Sequence, residues 1–116
     1  IFFRVPLLTM SGKVRHTVFL HFNPEVATQD KIDALVAGAE ALKGVKEISE
    51  GMISYYAAPD LKILPDQPDF VISGDFASVE AYKTYASHPA HIELINNHIK
   101  PLLAKPPTRA QIMLSE

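Results

Sequence analysis

The chain has 116 residues, of which 47% are hydrophobic, so it is long enough and apolar enough to form one globular domain rather than a disordered segment. A formal net charge of −2 argues against nucleic acid or an anionic membrane as its partner. The absence of cysteine excludes disulfides and thiolate chemistry, and is compatible with a cytoplasmic protein.

The segment IFFRVPLLT, residues 1–9, is apolar but too short to cross a bilayer, and it lacks the cleavage pattern of a signal peptide. Met10 is followed by Ser-Gly-Lys and resembles a start of translation. We therefore expect residues 1–9 to be a leader or cloning-derived residues. Residues 10–116 are expected to form a single domain.

Residues 14–23 alternate between two faces and predict the first strand. Phe19 and His21 belong to one face. The other face is strongly apolar and consists of Val14, His16, Val18, Leu20 and Phe22. Pro24 is expected to end the strand.

Residues 29–44 carry apolar side chains at helical spacing and predict the first helix. Thr28 or Asp30 is suited to cap its first turn. Gly44 is the residue at which we expect the helix to end.

Residues 45–57 predict a second strand, with a bulge or bend at Gly51. Residues 58–68 contain three prolines and predict a long surface loop. Residues 69–77 predict the third strand.

Ser78 is a good N-cap for a helix that runs up to Pro89. Because proline breaks a helix or begins one, we expect a second helix over residues 89–103. Residues 108–116 predict the last strand. The apolar face expected for the second helix consists of Ile92, Ile95, Ile99, Leu102 and Leu103.

The resulting order, βαββαβ, predicts an α+β, ferredoxin-like protomer with a four-stranded antiparallel sheet and both helices on one face. The opposite sheet face would carry partly apolar groups such as Phe19, with His21 beside it. A sheet that is partly apolar on both faces favours a second layer, so two sheets packed face to face would form a dimeric α+β barrel. The alternative is a monomer that tolerates an open second face.

The segment 84–104 holds His88, His91 and His98 within one helical region. Their spacing permits a shared metal, but there is no HExxH motif and no cysteine, and Pro89 disturbs the backbone. We expect no metal site and no cofactor. His88 is expected to shape the helix start, and His98 to face solvent.

Three other side chains point to acid–base chemistry. His16 lies on the apolar face of the first strand, Tyr85 on the apolar stripe of one helix, and His91 on the flank of the next. In a two-layer fold these faces oppose each other, so the three side chains would meet in one pocket. Polar groups there form either a satisfied core network or a site in which histidine titrates near neutral pH.

Two stretches resemble the stress-responsive A/B barrel (Dabb) family. VRHTVFLHFNP is similar to the opening strand of that family, and FASVEAYKTYASHPAHIELINNHIKPLL is similar to its second motif. The resemblance covers about residues 13–115. It implies ferredoxin-like protomers that pair sheet to sheet into dimeric barrels.

Within that family the motif is most similar to plant polyketide cyclases of the olivetolic acid cyclase type. The resemblance implies that His91 is the catalytic histidine, Tyr85 its supporting tyrosine and His16 a further pocket histidine. A pocket tyrosine that those cyclases carry on the first helix has no counterpart in KIDALVAGAEALKG, which leaves the substrate open.

The leading hypothesis is a homodimer that binds a small apolar molecule between sheet and helices. His91 would be the general base, Tyr85 would orient or polarise a carbonyl, and His16 would assist, in a cyclase or isomerase that needs no cofactor. One alternative is a non-catalytic stress-response or ligand-binding protein. Another is a small cofactor-free monooxygenase of the same architecture.

Overall fold

The computed structural model describes residues 10–115, so the expected leader at residues 1–9 lies outside the described residues. The strands are β1 Met10–Leu20, β2 Met52–Pro59, β3 Phe70–Phe76 and β4 Thr108–Ser115. The helices are α1 Gln29–Ala41, α2 Lys46–Ser49, α3 Val79–Ser87 and α4 Pro89–Leu94. Short 3-10 turns follow at Leu42–Gly44 and Lys100–Leu102, and a π-helical segment at Ile95–Ile99.

The four strands form one antiparallel sheet in the order β2-β3-β1-β4. This is the ferredoxin-like arrangement predicted from the element order. The predicted apolar face of β1 is confirmed, because its inward side chains are buried: Val14, His16, Val18 and Leu20. Val18 and Leu20 pack with buried side chains of the helices into one core, so the helices cover one face of the sheet.

The predicted caps of the two main helices are confirmed. The Thr28 hydroxyl accepts a hydrogen bond from the backbone N–H of Lys31, and the Ser78 hydroxyl accepts one from that of Ala81. The helical run that begins with α1 ends at Gly44, as expected.

The prediction of a strand over the whole of residues 45–57 was wrong at its start. Lys46–Ser49 form α2, and Ile48 buries its side chain in the core, so β2 begins only at Met52. Gly51 therefore precedes the strand rather than bending its middle. A Cβ on Gly51 would lie 2.5 Å from that of Ala81, so glycine is required for the close approach of α3.

The predicted second helix is irregular after Leu94. Pro101 cannot donate a backbone hydrogen bond and its ring clashes with the preceding turn, which disfavours regular α-helix there. The π-helical segment adds a residue to one turn. The buried positions within residues 89–103 are Leu94, Ile99 and Leu102, whereas Ile92 is 45% exposed. The expectation that Ile92 belongs to the buried face was therefore wrong.

The sheet face away from the helices is mixed in character. Phe19 and Ile112 remain partly exposed on it, and Arg15 pairs with the directly opposite Asp75 through two hydrogen bonds of 2.8 and 2.9 Å. Within residues 10–115, no helix has the length and apolar character needed to cross a membrane.

Candidate functional site

A cavity of about 280 Å³ lies between the sheet and the helical layer. Its volume is near the lower end for small-molecule sites, which usually measure about 300–1,000 Å³. Aliphatic side chains form much of its wall. Its polar lining consists of His16, Tyr82, Tyr85, His91, Lys100 and Arg109. The structure thus brings all three predicted site residues, His16, Tyr85 and His91, to one cavity.

His91 reaches the cavity from the first turns of α4. Its Nδ1 lies 3.0 Å from the backbone carbonyl oxygen of Ala86. A carbonyl only accepts, so Nδ1 carries the proton and donates, and the neutral ring has its lone pair on Nε2. Burial lowers the pKa of His91 below its ordinary value, which keeps the ring uncharged and able to accept a proton near neutral pH.

His16 reaches the cavity from β1 and is only 3% exposed. Its Nδ1 lies 2.8 Å from the side-chain nitrogen of Gln111, on the neighbouring strand β4. The amide nitrogen donates, so Nδ1 accepts and the neutral ring carries its proton on Nε2. Burial lowers the pKa of His16 to about 4, and the positive charges of His91, when it is protonated, and of Arg109 act in the same direction.

The two histidines are therefore held in opposite tautomers. The backbone bond to Ala86 leaves His91 with an acceptor at Nε2, whereas the bond from Gln111 leaves His16 with a donor at Nε2. Among the residues that the structure describes, no hydrogen-bond partner occupies either Nε2.

Tyr85 stands between the two histidines. Its ring centroid lies 4.2 Å from that of His91 and 5.9 Å from that of His16. Its hydroxyl oxygen lies 2.9 Å from that of the buried Tyr55. Burial raises the pKa of both tyrosines, that of Tyr55 to about 12, so both hydroxyls stay protonated at neutral pH.

Sequence reasoning missed five residues of this site: Tyr55, Tyr82, Lys100, Arg109 and Gln111. Tyr82 lies on α3 with Tyr85, and its ring lies 4.9 Å from that of His16. Alternation along the last strand could have placed Arg109 and Gln111 on one face. Alternation alone could not show that Gln111 lies opposite His16, because that pairing depends on the register of β4 against β1.

The remaining histidines of the chain do not line the cavity. His88 caps α4 through Nδ1, which accepts from the backbone N–H of Ala90, and its Nε2 lies 3.0 Å from a carboxylate oxygen of Glu47. Its predicted role in shaping the helix start is thereby confirmed. The contact between His88 and Glu47 thus links the start of α4 to α2.

Two histidines differ from their predicted surroundings. His98 was expected to face solvent but is half-buried beside Gly38 of α1. His21 was placed at the sheet face with Phe19, yet β1 ends one residue earlier at Leu20. Its Nδ1 is buried with no hydrogen-bond partner within residues 10–115.

The chemistry available in the cavity is proton transfer. It combines a neutral imidazole acceptor, a neutral imidazole donor and a tyrosine packed between them, next to an apolar wall. Within residues 10–115, no three histidine or acidic side chains are grouped so that they could hold a metal ion.

Comparisons with known proteins agree with this fold. The family model described as "Stress responsive A/B Barrel Domain" matches residues 14–109. No curated protein matches the chain. The chain is similar to a dimeric ferredoxin-like protein of unknown function from Thermobifida fusca, with a TM-score of 0.78 and 20% identity over 97% of this chain and 100% of that one.

Two further solved structures share the fold. A hydroxynitrile lyase from Passiflora edulis has a TM-score of 0.75 and 21% identity over 91% of this chain and 96% of the lyase. A Dabb family protein with a ferredoxin-like fold from Mesorhizobium loti has a TM-score of 0.68 and 20% identity over 87% of this chain and 95% of that one. At these identities the likeness shows the fold alone.

Proposed function

The chain belongs to the stress-responsive A/B barrel (Dabb) family, and on this premise we propose that it is a homodimer whose cavity binds a small, largely apolar molecule and moves protons on it. The reaction class is that of a cyclase or isomerase that needs neither a metal nor an organic cofactor. His91 is the general base, His16 assists as a hydrogen-bond donor, and Tyr85 orients the base.

One observation carries this proposal: Nε2 of His91 has a lone pair, while Nδ1 is fixed by the 3.0 Å bond to Ala86. A base must be neutral and correctly oriented before it meets its substrate. Burial lowers the pKa of His91 and so supports the neutral form. Packing of the Tyr85 ring at 4.2 Å restricts the orientation of the imidazole.

The proposed step begins at a carbon next to a carbonyl group. Nε2 of His91 removes a proton from that carbon, and the electron pair of the broken C–H bond moves to the carbonyl oxygen as an enolate. Nε2–H of His16 donates a hydrogen bond to that oxygen and stabilises the charge that develops there. In a substrate with a double bond between its β- and γ-carbons, the enolate extends over that bond. The electron pair then returns from the oxygen, the γ-carbon takes the proton from His91, and the product is the conjugated isomer.

Cyclisation follows from the same enolate. Its carbon attacks a second carbonyl of the same molecule, so a carbon–carbon bond forms and the second oxygen becomes an alkoxide. The proton on His91 then passes to this alkoxide and restores the neutral base. Tyr85 remains protonated throughout, since burial raises its pKa.

The fold is compatible with such an activity. The similar structure from Passiflora edulis is named a hydroxynitrile lyase, so a protein of this architecture can be an enzyme. The proposal takes from this only that the fold can hold a catalytic site, because fold alone does not determine reaction.

The homodimer is proposed to form through the sheet face that the helices leave open. Phe19 and Ile112 are 37% and 55% exposed there, and apolar surface of this kind favours a second layer. The similar protein from Thermobifida fusca is described as dimeric, which supports the same arrangement.

Exchange of α-hydrogens tests the acid–base proposal without knowledge of the natural substrate. Acetophenone is incubated with the protein in heavy water, and loss of its methyl proton signal is followed by NMR. We expect the wild-type protein to accelerate exchange and His91→Ala to lose the acceleration. His98→Ala is the matched control, because His98 does not line the cavity.

The alternative, a non-catalytic ligand-binding protein, gives a different result. Acetophenone would then exchange at the same rate with the wild-type protein, with His91→Ala and with buffer. That outcome would overturn the proposed function.

A further inference from the structure

We infer that the cavity selects an organic anion, namely a carboxylate carried on a small apolar body. The inference rests on the proposed function in one respect, that this cavity is where the ligand binds. It deepens that proposal because it names the substrate class from two cationic side chains that the proton-transfer step does not use.

Arg109 is the first of these cations. In β4 it lies opposite Val18, and Gln111, two residues further along, lies opposite His16. Alternate residues of a strand share a face, so Arg109 and Gln111 are both on the cavity side of the sheet. The Arg109 side chain lines the cavity, and its charge acts on His16, where it opposes protonation.

Lys100 is the second cation and comes from the opposite layer. It follows the π-helical segment and lines the same cavity from the helical side. Two independent elements thus bring positive charge to one cavity. None of the side chains that line it is acidic.

Neither cation is neutralised by the part of the chain that the structure describes. Arg15 and Lys62, by contrast, pair with Asp75 and Asp69 at 2.8 and 2.7 Å. No such ion pair involves Arg109 or Lys100 within residues 10–115. Both side chains are exposed in the free chain, so their N–H donors are available to a ligand anion.

The other polar groups of the cavity cannot supply a negative charge. Tyr82 and Tyr85 have raised pKa values because of burial, so neither is a phenolate at neutral pH. His16 and His91 are either neutral or positive. The electrostatic potential of the cavity is accordingly positive.

The form of the site favours a carboxylate on a compact apolar body. The guanidinium of Arg109 presents paired N–H donors that match the two oxygens of a planar carboxylate. The remaining wall is aliphatic, with Val18, Ile72, Ile95, Ile99 and Leu103. A volume of about 280 Å³ accepts a molecule the size of a single aromatic ring with a short substituent.

Benzoate and benzamide test the inference, because they have nearly the same shape and differ in charge. Binding of each to the full chain is measured by calorimetry or by NMR titration. We expect benzoate to bind about tenfold more tightly than benzamide, the effect of one charge-assisted hydrogen bond. Arg109→Gln and Lys100→Gln should each reduce that preference several-fold.

Lys105→Gln is the matched control, since it removes the same charge from an exposed residue that does not line the cavity. Arg109 and Lys100 lie on different elements, so a folding defect in one variant leaves the other as a test. Equal affinity for the two ligands, no benzoate binding up to about 10 mM, or equal effects of Arg109→Gln and Lys105→Gln would overturn the inference.

The outcomes separate this inference from the proposed function. Preferential binding of benzoate without acetophenone exchange would remove the catalytic proposal and leave the ligand class intact. Acetophenone exchange that depends on His91, together with equal binding of benzoate and benzamide, would remove the ligand class and leave the catalytic proposal intact.

Discussion

The side-chain amide of Gln111 donates a hydrogen bond to Nδ1 of His16 over 2.8 Å, from one strand of the sheet to its neighbour. This contact fixes the neutral tautomer of a nearly inaccessible histidine and directs its remaining proton to the cavity. Gln111 is therefore a positioning residue in the proposed mechanism, because it acts through His16.

Gln111→Glu should reverse the tautomer of His16. A carboxylate only accepts, so Nδ1 would have to carry the proton, and the nearby negative charge should raise the pKa of His16. The ring nitrogen chemical shifts of His16, followed by NMR against pH, measure both effects. Gln67→Glu, in the loop before β3, is the control, and unchanged ring shifts in Gln111→Glu would contradict the assignment.

His91→Ala should separate catalysis from stability. His91 is only partly buried and makes one side-chain hydrogen bond, so its loss is expected to reduce the free energy of unfolding by about 1 kcal/mol. Exchange of acetophenone α-hydrogens should fall to the rate in buffer. A variant that mainly unfolds, with loss of exchange only in proportion to unfolding, would favour a structural role.

The Tyr55–Tyr85 pair should behave as a coupled unit. Tyr85→Phe or Tyr55→Phe leaves one buried hydroxyl without a partner, which costs about 1–3 kcal/mol, whereas the double variant leaves none. We expect the loss in the double variant to be smaller than the sum of the single losses. Urea unfolding of all four proteins measures this coupling, and strict additivity would argue against the contact.

Stability should decrease as the pH falls through the range in which His16 titrates. The pKa of His16 is about 4 in the folded protein against an ordinary value of 6.5. Below pH 6.5 the unfolded chain binds a proton that the folded protein rejects, so the stabilisation present above pH 6.5 is lost towards pH 4. The complete loss is about 3 kcal/mol.

Thermal unfolding from pH 7 to pH 4 measures this dependence. His16→Gln should flatten the profile, and a profile as steep as that of the wild type would contradict the prediction. Part of the slope should remain, because burial also lowers the pKa of His91. Arg109 and protonated His91 both oppose the protonation of His16. The groups that face His16 are Arg109 and Gln111 from β4, Tyr82 and Tyr85 from α3, and His91 from α4.

The open sheet face should be sensitive to charge if it is the dimer interface. Phe19→Asp places a carboxylate on that face and should convert a dimer into a monomer, because burial of an unpaired charge is costly. Ile92→Asp, at an exposed apolar position of α4, should leave the dimer intact. Sedimentation measures the mass, and a wild-type monomer at micromolar concentration would exclude the proposed homodimer.

Local sequence patterns were sufficient for most elements of the fold. Alternation in β1, helical spacing in α1 and the caps Thr28 and Ser78 depend on neighbouring residues, and the structure agrees with each. The errors arose where distant contacts decide the outcome. Residues 46–49 form a helical turn that buries Ile48 in the core, although the segment itself looks like a strand.

The residues of the candidate site show the same difference between local pattern and distant contact. Periodicity in the sequence was enough to predict that His16, Tyr85 and His91 lie on faces that oppose each other, because period-two and helical spacing fix the face of each side chain. The partners of these three side chains depend on the tertiary fold. Strand register places Gln111 beside His16, the pairing of β2 with β3 and the packing of α3 bring Tyr55 to Tyr85, and the irregular helical segment after α4 brings Lys100 to the cavity. These contacts join residues far apart in the chain, and local propensity carries no information about them.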